Sequence, residues 1–475
     1  MIRDLKPYPV YRESGLPWLG DIPEGWFTKR AKNFFCEVDE RSQSGQEELL
    51  SVSHKTGVTP RSQKNITMFM AESYIGHKLC RAGDIVINTM WAWMAALGVS
   101  RQTGIVSPAY GVYRLKSDDP FEPQFLDHLL RTQAYASEYL CRSTGVNASR
   151  LRLYPDKFLE IPILCPPRDE QITILRFIDH ADRRIRRALR AKRKLVALIN
   201  EQKQLTIHQA VTRGVDPSVR LKASGVEWLG QVPESWEVWK VGHFARIGNG
   251  STPSRGNLGY WSSGTYPWLN SACVNQSSVM GANQFVTNTA LKECHLPRVP
   301  VGSVLIAITG QGKTRGTSAV LRIEATINQH LVYITPRPSI ISSDFLHLAL
   351  TAAYPELRRI SDDAGSTKGA LTCQDISNFK IALPSLEEQK ALVEYISESV
   401  SKADQTIELT KKEIDLLQEL RAGLISDLVT GKIDVRLAAA QLPEEEGAVG
   451  ADEDVATLLE DDEFIEDADS EEIEV

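Results

Sequence analysis

The chain has 475 residues, 42% of them hydrophobic, with seven cysteines and a formal net charge of −7. That length implies at least two packed domains. The lack of any run of eighteen apolar residues argues against a membrane span, and scattered cysteines without Cys-x-x-Cys spacing argue against a zinc ribbon and for a reducing, cytoplasmic setting. The negative charge is local: residues 443–475 hold sixteen acidic residues and no Lys or Arg, leaving 54 basic against 45 acidic elsewhere, a surplus of nine. A modest basic surplus suits a nucleic-acid binder without establishing one.

The start, Met1-Ile-Arg-Asp, leads into Pro and Tyr rather than an apolar signal core. The first recognisable motif is Ser14-Gly-Leu-Pro-Trp-Leu-Gly-Asp-Ile-Pro-Glu-Gly-Trp26. It recurs as Ser224-Gly-Val-Glu-Trp-Leu-Gly-Gln-Val-Pro-Glu-Ser-Trp236, 210 residues on. Leu5-Lys6 and Leu221-Lys222 look like a further matching pair. Trp18, Trp26, Trp228 and Trp236 are repeated with their flanks, so they read as structural anchors.

A globular domain of short strands and turns follows. Gly83–Asn88 and Tyr110–Leu115 read as buried strands and Phe125–Leu130 as a short helix. Their counterparts in the second half are Gly302–Ile308, Gln329–Ile334 and Phe345–Leu350. Between these landmarks the halves barely resemble each other, as expected of one framework carrying two different reading surfaces. Loop Arg, Lys, Asn and Gln side chains can meet base edges or phosphates. The candidates are Lys55, Arg61, Lys64, Asn88, Trp91 and Arg150 in the first domain, and Arg255, Asn257, Gln311, Lys313, Arg315 and Lys368 in the second.

Each domain ends in an apolar strand closed by proline, Phe158–Pro166 and Ile376–Pro384, and then a long helical run. Glu170–Thr212 and Glu388–Thr430 both open with Glu-Gln and close with Val-Thr, offset by 218 residues. In the second run Ile396, Val400, Ala403, Ile407, Thr410, Ile414, Leu417, Arg421, Leu424 and Leu428 alternate steps of four and three, the spacing of a coiled-coil seam. The first run has Ile178, Asp182, Ile185, Leu189, Lys192, Val196, Ile199, Lys203, Thr206 and Ala210 in the same places. Each helix would be roughly 60 Å long. Residues 168–213 hold twelve basic and five acidic residues, and residues 386–431 five and ten. Opposite charge favours pairing the helices with each other. With only about ten residues joining the first helix to the second domain, the second helix must run back along the first. The pair is then antiparallel, with pseudo-two-fold symmetry.

Enzymatic chemistry is hard to find. Ala307-Ile-Thr-Gly-Gln-Gly-Lys-Thr314 fits a relaxed phosphate loop, but the residues after it read as turn and strand, where such a loop needs a helix. A nucleotide hydrolase using Lys313 is the rival reading from another class. No Asn/Asp-Pro-Pro-aromatic methyltransferase motif and no nucleophile–base arrangement stands out, so no catalytic residue and no metal ligand is assigned.

The two Trp-Leu-Gly-x-Ile/Val-Pro-Glu-x-Trp motifs, the Glu-Gln helix starts, and the endings Ala210-Val-Thr-Arg-Gly-Val-Asp216 and Val429-Thr-Gly-Lys-Ile-Asp434 resemble the specificity subunit of type I restriction–modification enzymes. The resemblance covers about residues 1–436. It implies an α+β chain with two tandem mixed α/β target-recognition domains separated by two long antiparallel coiled-coil helices. The divisions are 1–167, spacer helix 168–213, 214–385, spacer helix 386–436, and a disordered acidic tail 437–475. It also implies a non-catalytic, cytoplasmic subunit that reads a bipartite double-stranded DNA site. Two modification (methyltransferase) subunits dock on its helices, and restriction (endonuclease/translocase) subunits join them. S-adenosylmethionine, ATP and Mg2+ belong to those partners. An orphan or regulatory DNA-binding homologue is the alternative within the family.

Overall fold

A computed structural model describes residues 5–63, 73–116, 120–145, 151–310, 314–363 and 369–443. The chain divides into two compact units, Met1–Arg190 with Ile414–Val475, and Ala191–Glu413. The dividing points fall inside the two long helices, Arg168–Arg213 and Leu386–Val429.

The first unit is built on a four-stranded antiparallel sheet in the order Phe35–Glu37, Gly111–Leu115, Ile85–Ile87, Leu97–Val99. Ile85, Val86 and Ile87 are all buried, as a short unbroken apolar strand should be. Helix Pro123–Leu130 buries Phe125, Leu126, Leu129 and Leu130, the i, i+1, i+4, i+5 face of an amphipathic helix. The second unit repeats the order in its five-stranded sheet, Ala245–Asn249, Leu331–Pro336, Val304–Ala307, Ser318–Leu321, and adds Ser278–Val279 in parallel at the edge. Its matching helix is Ser343–Ala352. The landmark strands and helices expected from the sequence are therefore present in both halves.

The repeated opening motif forms a hairpin in each unit, Tyr11–Glu13 with Asp21–Pro23 and Leu221–Ala223 with Gln231–Pro233. Tyr11 pairs with Pro23 and Leu221 with Pro233. The structural partner of Leu221 is thus Tyr11 and not Leu5. Lys6 instead bridges Asp434, whose amide donates to the Lys6 carbonyl at 2.8 Å. The apolar strands closed by proline pair with the residues after each motif, Pro162–Cys165 with Phe27–Arg30 and Lys380–Leu383 with Glu237–Lys240.

Within each unit the helix segments run antiparallel. In the first, Arg421 donates to Asp182 across the pair. In the second, Lys192 meets Glu413 at 2.5 Å and Lys203 meets Asp404 at 2.6 Å. Asp182, Lys192, Lys203 and Arg421 are the charged seam positions, so the register read from the sequence is the one observed. Ile178, Leu424 and Leu428 join the first unit's core, and Ile396 joins the second's. Ile185, Leu189 and Ile407 are also buried. Val196, Ile199, Val400, Ile414 and Leu417 are only half-buried. Two helices alone do not close over a seam where no domain packs on it.

The folded chain continues past residue 436. Helix Arg436–Ala440 buries Ala439, and Leu442 is buried in the first unit's core. Arg176 donates to the carbonyls of Leu442 and Pro443 at 3.1 and 3.2 Å. Residues 437–443, expected in the tail, are therefore structural: their apolar side chains have a core to enter. The rest of the expected tail lies outside the described residues. Among the described residues no helix is long and apolar enough to cross a membrane.

Candidate nucleic-acid interface

The two sheets place unlike residues at one equivalent position. In the first unit Ile87 pairs with Gly111, so the next rung beyond the ladder holds Asn88 and Tyr110. Asn88 Nδ2 donates to the Tyr110 hydroxyl at 3.2 Å. Asn88 Oδ1 is buried without a hydrogen-bond partner. Burial raises the pKa of Tyr110, and the nearby positive charge of Arg61 opposes that rise. The loop leaving Asn88 carries Trp91, exposed to solvent.

In the second unit Ala307 pairs with Leu331, so the same rung holds Ile308 and His330. The Ile308 amide donates to the His330 carbonyl at 3.0 Å, and Thr309 Oγ1 lies 2.8 Å from His330 Nδ1. Gln329 Nε2 is 3.2 Å from His330 Nε2, and Thr252 Oγ1 donates to Gln329 Oε1 at 2.5 Å. Thr252 can reach Gln329 because Gly250 passes tight against the next strand. A Cβ on Gly250 would lie 1.8 Å from the Ile327 carbonyl oxygen.

The sequence candidates distribute unevenly over this frame. Arg61, Asn88 and Trp91 gather at the strand end of the first unit. Lys55 lies apart, on a groove of about 690 Å³ between the Leu50–Pro60 hairpin, helix Pro123–Leu130 and the long helices. Arg255 and Asn257 share one segment of the second unit, but both have local work. The Arg255 guanidinium lies 3.9 Å from the Trp261 ring and 4.9 Å from that of Trp268, and donates to Gln284 Oε1 at 2.8 Å. Asn257 Oδ1 accepts from the Gly259 amide at 3.0 Å and caps a helical turn.

Arg315 contradicts its expected role. It is 5% exposed, pairs with Asp362 and donates to the Gly369 carbonyl at 2.5 Å. A guanidinium committed to two internal acceptors is not offered to DNA. Lys64, Arg150, Gln311, Lys313 and Lys368 lie outside the described residues. Tyr110, Thr252, Thr309, Gln329 and His330 were not singled out from the sequence. The signal was available, because each rung opens a strand recognised in both halves.

Residues 314–317 after the apparent phosphate loop form a turn that leads into strand Ser318–Leu321. No helix N-terminus therefore follows to hold phosphates. Among the described residues no group of three or more His, Cys, Asp or Glu is placed to hold a metal ion.

Residues 233–419 match the family model described as the type I restriction modification DNA specificity domain. The Escherichia coli EcoR124I/EcoR124II type I specificity subunit is 23% identical over 267 residues, which span 55% of this chain and 60% of that protein. A putative type I MjaX specificity subunit from Methanocaldococcus jannaschii is 26% identical over 325 residues, covering 66% and 69%. Among solved structures, a chain from a study of assembly and conformational transition in a type I restriction–modification system superposes with a TM-score of 0.62 at 18% identity. It covers 86% of this chain and 98% of that one. At that identity the likeness shows a shared fold: tandem α/β domains with a pair of long helices.

Proposed function

We propose that this chain is the DNA-recognition subunit of a type I restriction–modification complex. Each unit reads one half of a split double-stranded site, and the long helices set the gap and carry two modification subunits. The observation that supports this most directly is the repeated strand end. One framework presents Asn88, Tyr110 and Trp91 in one unit, and Thr309, Gln329 and His330 in the other. A repeated scaffold with unlike residues at one place is what reading two different half-sites requires.

The recognition surface in this reading comprises Lys55, Arg61, Lys64, Asn88, Trp91 and Arg150 with Arg255, Asn257, Gln311, Lys313 and Lys368. Arg315 is excluded by its burial. The domain division in this reading is 1–167, 168–213, 214–385 and 386–436, with residues 437–443 packed on the first unit. The helix segments of the second unit also expose Leu195, Leu198, Leu205 and Leu409. Exposed leucines on a helix suit a helical partner, here a modification subunit. The chain itself catalyses nothing in this scheme. S-adenosylmethionine, ATP and Mg2+ act in the modification and restriction subunits, in the cytoplasm.

The test exchanges residues 27–157 for those of another specificity subunit and maps the methylated sites. One half-site should change and the other persist; changes in both halves would refute modular reading. Inserting residues near Lys192 or Thr410 should alter the spacing and leave the bases unchanged.

A further inference from the structure

Trp91 is 49% exposed and its neighbour Met90 36% exposed. Single exposed apolar residues are ordinary, but these two stand together on a loop that is held rigidly. The Trp91 amide donates to the Asn88 carbonyl at 3.0 Å, and the Ala96 amide to the Trp91 carbonyl at 3.2 Å. Trp93 Nε1 donates to the Met90 carbonyl at 3.1 Å. Thr89 is tied on both sides: its hydroxyl donates to the Ala109 carbonyl at 3.1 Å, and its carbonyl accepts from the Leu153 amide at 2.9 Å. Ala95 closes the loop in the left-handed region at φ 59°. A braced loop loses little conformational entropy when its tip is buried by a ligand.

The surroundings indicate what that ligand is. Arg152 lies against the Met90 sulfur at 3.9 Å, and Arg61 is near enough to Tyr110 for its positive charge to act there. Among the described residues neither arginine has a carboxylate partner. The unmet Asn88 Oδ1 sits at the base of the loop. An aromatic tip flanked by unpaired guanidinium groups is the composition that stacks on bases and holds phosphates. We infer that Met90 and Trp91 form an apolar wedge that enters a base step of duplex DNA, with Arg61 and Arg152 on the flanking phosphates. This rests on the recognition role proposed above. It adds that the first unit selects a flexible pyrimidine–purine step, because unstacking costs least there.

The experiment selects duplexes from a fully randomised DNA pool with the full-length protein in its assembled complex, using wild type, Trp91→Ala and Trp91→Phe. Wild type should enrich a bipartite site with a pyrimidine–purine step in one half. Trp91→Ala should lose that step, keep the other half-site, and bind the wild-type duplex about tenfold more weakly. Trp91→Phe should retain the step. If Trp91→Ala enriches the same step at the same frequency, the wedge is overturned. If it keeps full DNA selection and instead sheds the modification subunits, the pair is a protein contact and the wedge is again overturned. If wild type enriches no sequence, the recognition role itself falls and the wedge with it. That outcome is separable because it appears before any variant is compared.

Discussion

Glu170, the first residue of the Glu-Gln pair, accepts a hydrogen bond from the buried indole of Trp26, Nε1 to Oε2, at 3.1 Å. Its other oxygen accepts from the Tyr8 hydroxyl at 2.6 Å. The second unit repeats the arrangement, with Trp236 Nε1 donating to Glu388 Oε1 at 3.3 Å. The repeated tryptophan and the repeated glutamate are thus two ends of one contact between the opening motif and the long helix. Replacing Glu170 with Leu leaves the Trp26 N–H and the Tyr8 hydroxyl unpaired. The first unit should lose about 2–4 kcal/mol, read by urea unfolding. Trp26→Phe in the same background should recover part of that loss, since it removes one of the orphaned donors.

Gln389 should be as sensitive. It is fully buried, and its amide group satisfies three backbone groups. Nε2 donates to the carbonyls of Ile340 and Pro384 at 2.9 and 3.0 Å, and Oε1 accepts from the Ser342 amide at 2.9 Å. Gln171 does the same for Pro120, Pro166 and Glu122. Gln389→Leu should cost about 3 kcal/mol or more because it strands polar backbone in the core. Gln389→Glu should be nearly as damaging at neutral pH, since it offers acceptors where two donors are needed. Thermal unfolding of each variant measures both.

Asp182 links the helix pair of the first unit to acid conditions. Burial favours its neutral form, but Arg421 and Arg186 outweigh that, and its carboxyl lies below the usual carboxylate range. A carboxyl whose folded pKa is lowered adds stability above its unfolded pKa and loses it as pH falls through the folded value. The contribution should be present above about pH 4 and decline as the pH falls from there through the lowered folded value. Asp182→Asn should make the first unit less stable at neutral pH and flatten its response to acid, followed by circular dichroism against pH.

His347 sets a different window in the second unit. Burial pushes its pKa down to about 4 from 6.5, and its Nδ1 lies 3.0 Å from Ser318 Oγ. The unfolded chain takes up that proton first, so stability present above pH 6.5 declines as pH falls toward 4. The loss amounts to about 3 kcal/mol at most. His347→Gln should remove this slope between pH 6.5 and 4 while leaving the acid response of the first unit unchanged.

The long helices, their register and the duplicated strands were legible because each rests on short-range periodicity or on an exact repeat. Asp182, Lys192, Lys203 and Arg421 interrupt an apolar series at places the series itself defines, so their pairing follows once the helices are antiparallel. Arg315 was misplaced for the opposite reason. A glycine-flanked arginine reads as a surface loop, and its acceptors, Asp362 and the Gly369 carbonyl, lie far along the chain. Asn88 was recognised, but its partner Tyr110 was not, because a tyrosine opening a strand looks like core. Leu5-Lys6 matched Leu221-Lys222 in letters only; the ladder sets Tyr11 opposite Pro23. Residues 437–443 are alanine-rich and run directly into the acidic stretch, and only the hollow in the first unit's core makes Ala439 and Leu442 structural.

The Asp182–Arg421 pair also protects against slippage. Sliding one helix by a heptad would set Asp182 near Ile414 or Leu428, and would set Arg421 near Leu175 or Leu189. Either move parts Arg421 from its carboxylate and leaves its charge among aliphatic side chains, where an unpaired charge is costly. Leucines alone would tolerate neighbouring alignments almost equally well. One ionic rung therefore makes the true alignment the only inexpensive one, much as a single notch keeps a ratchet from skipping a tooth.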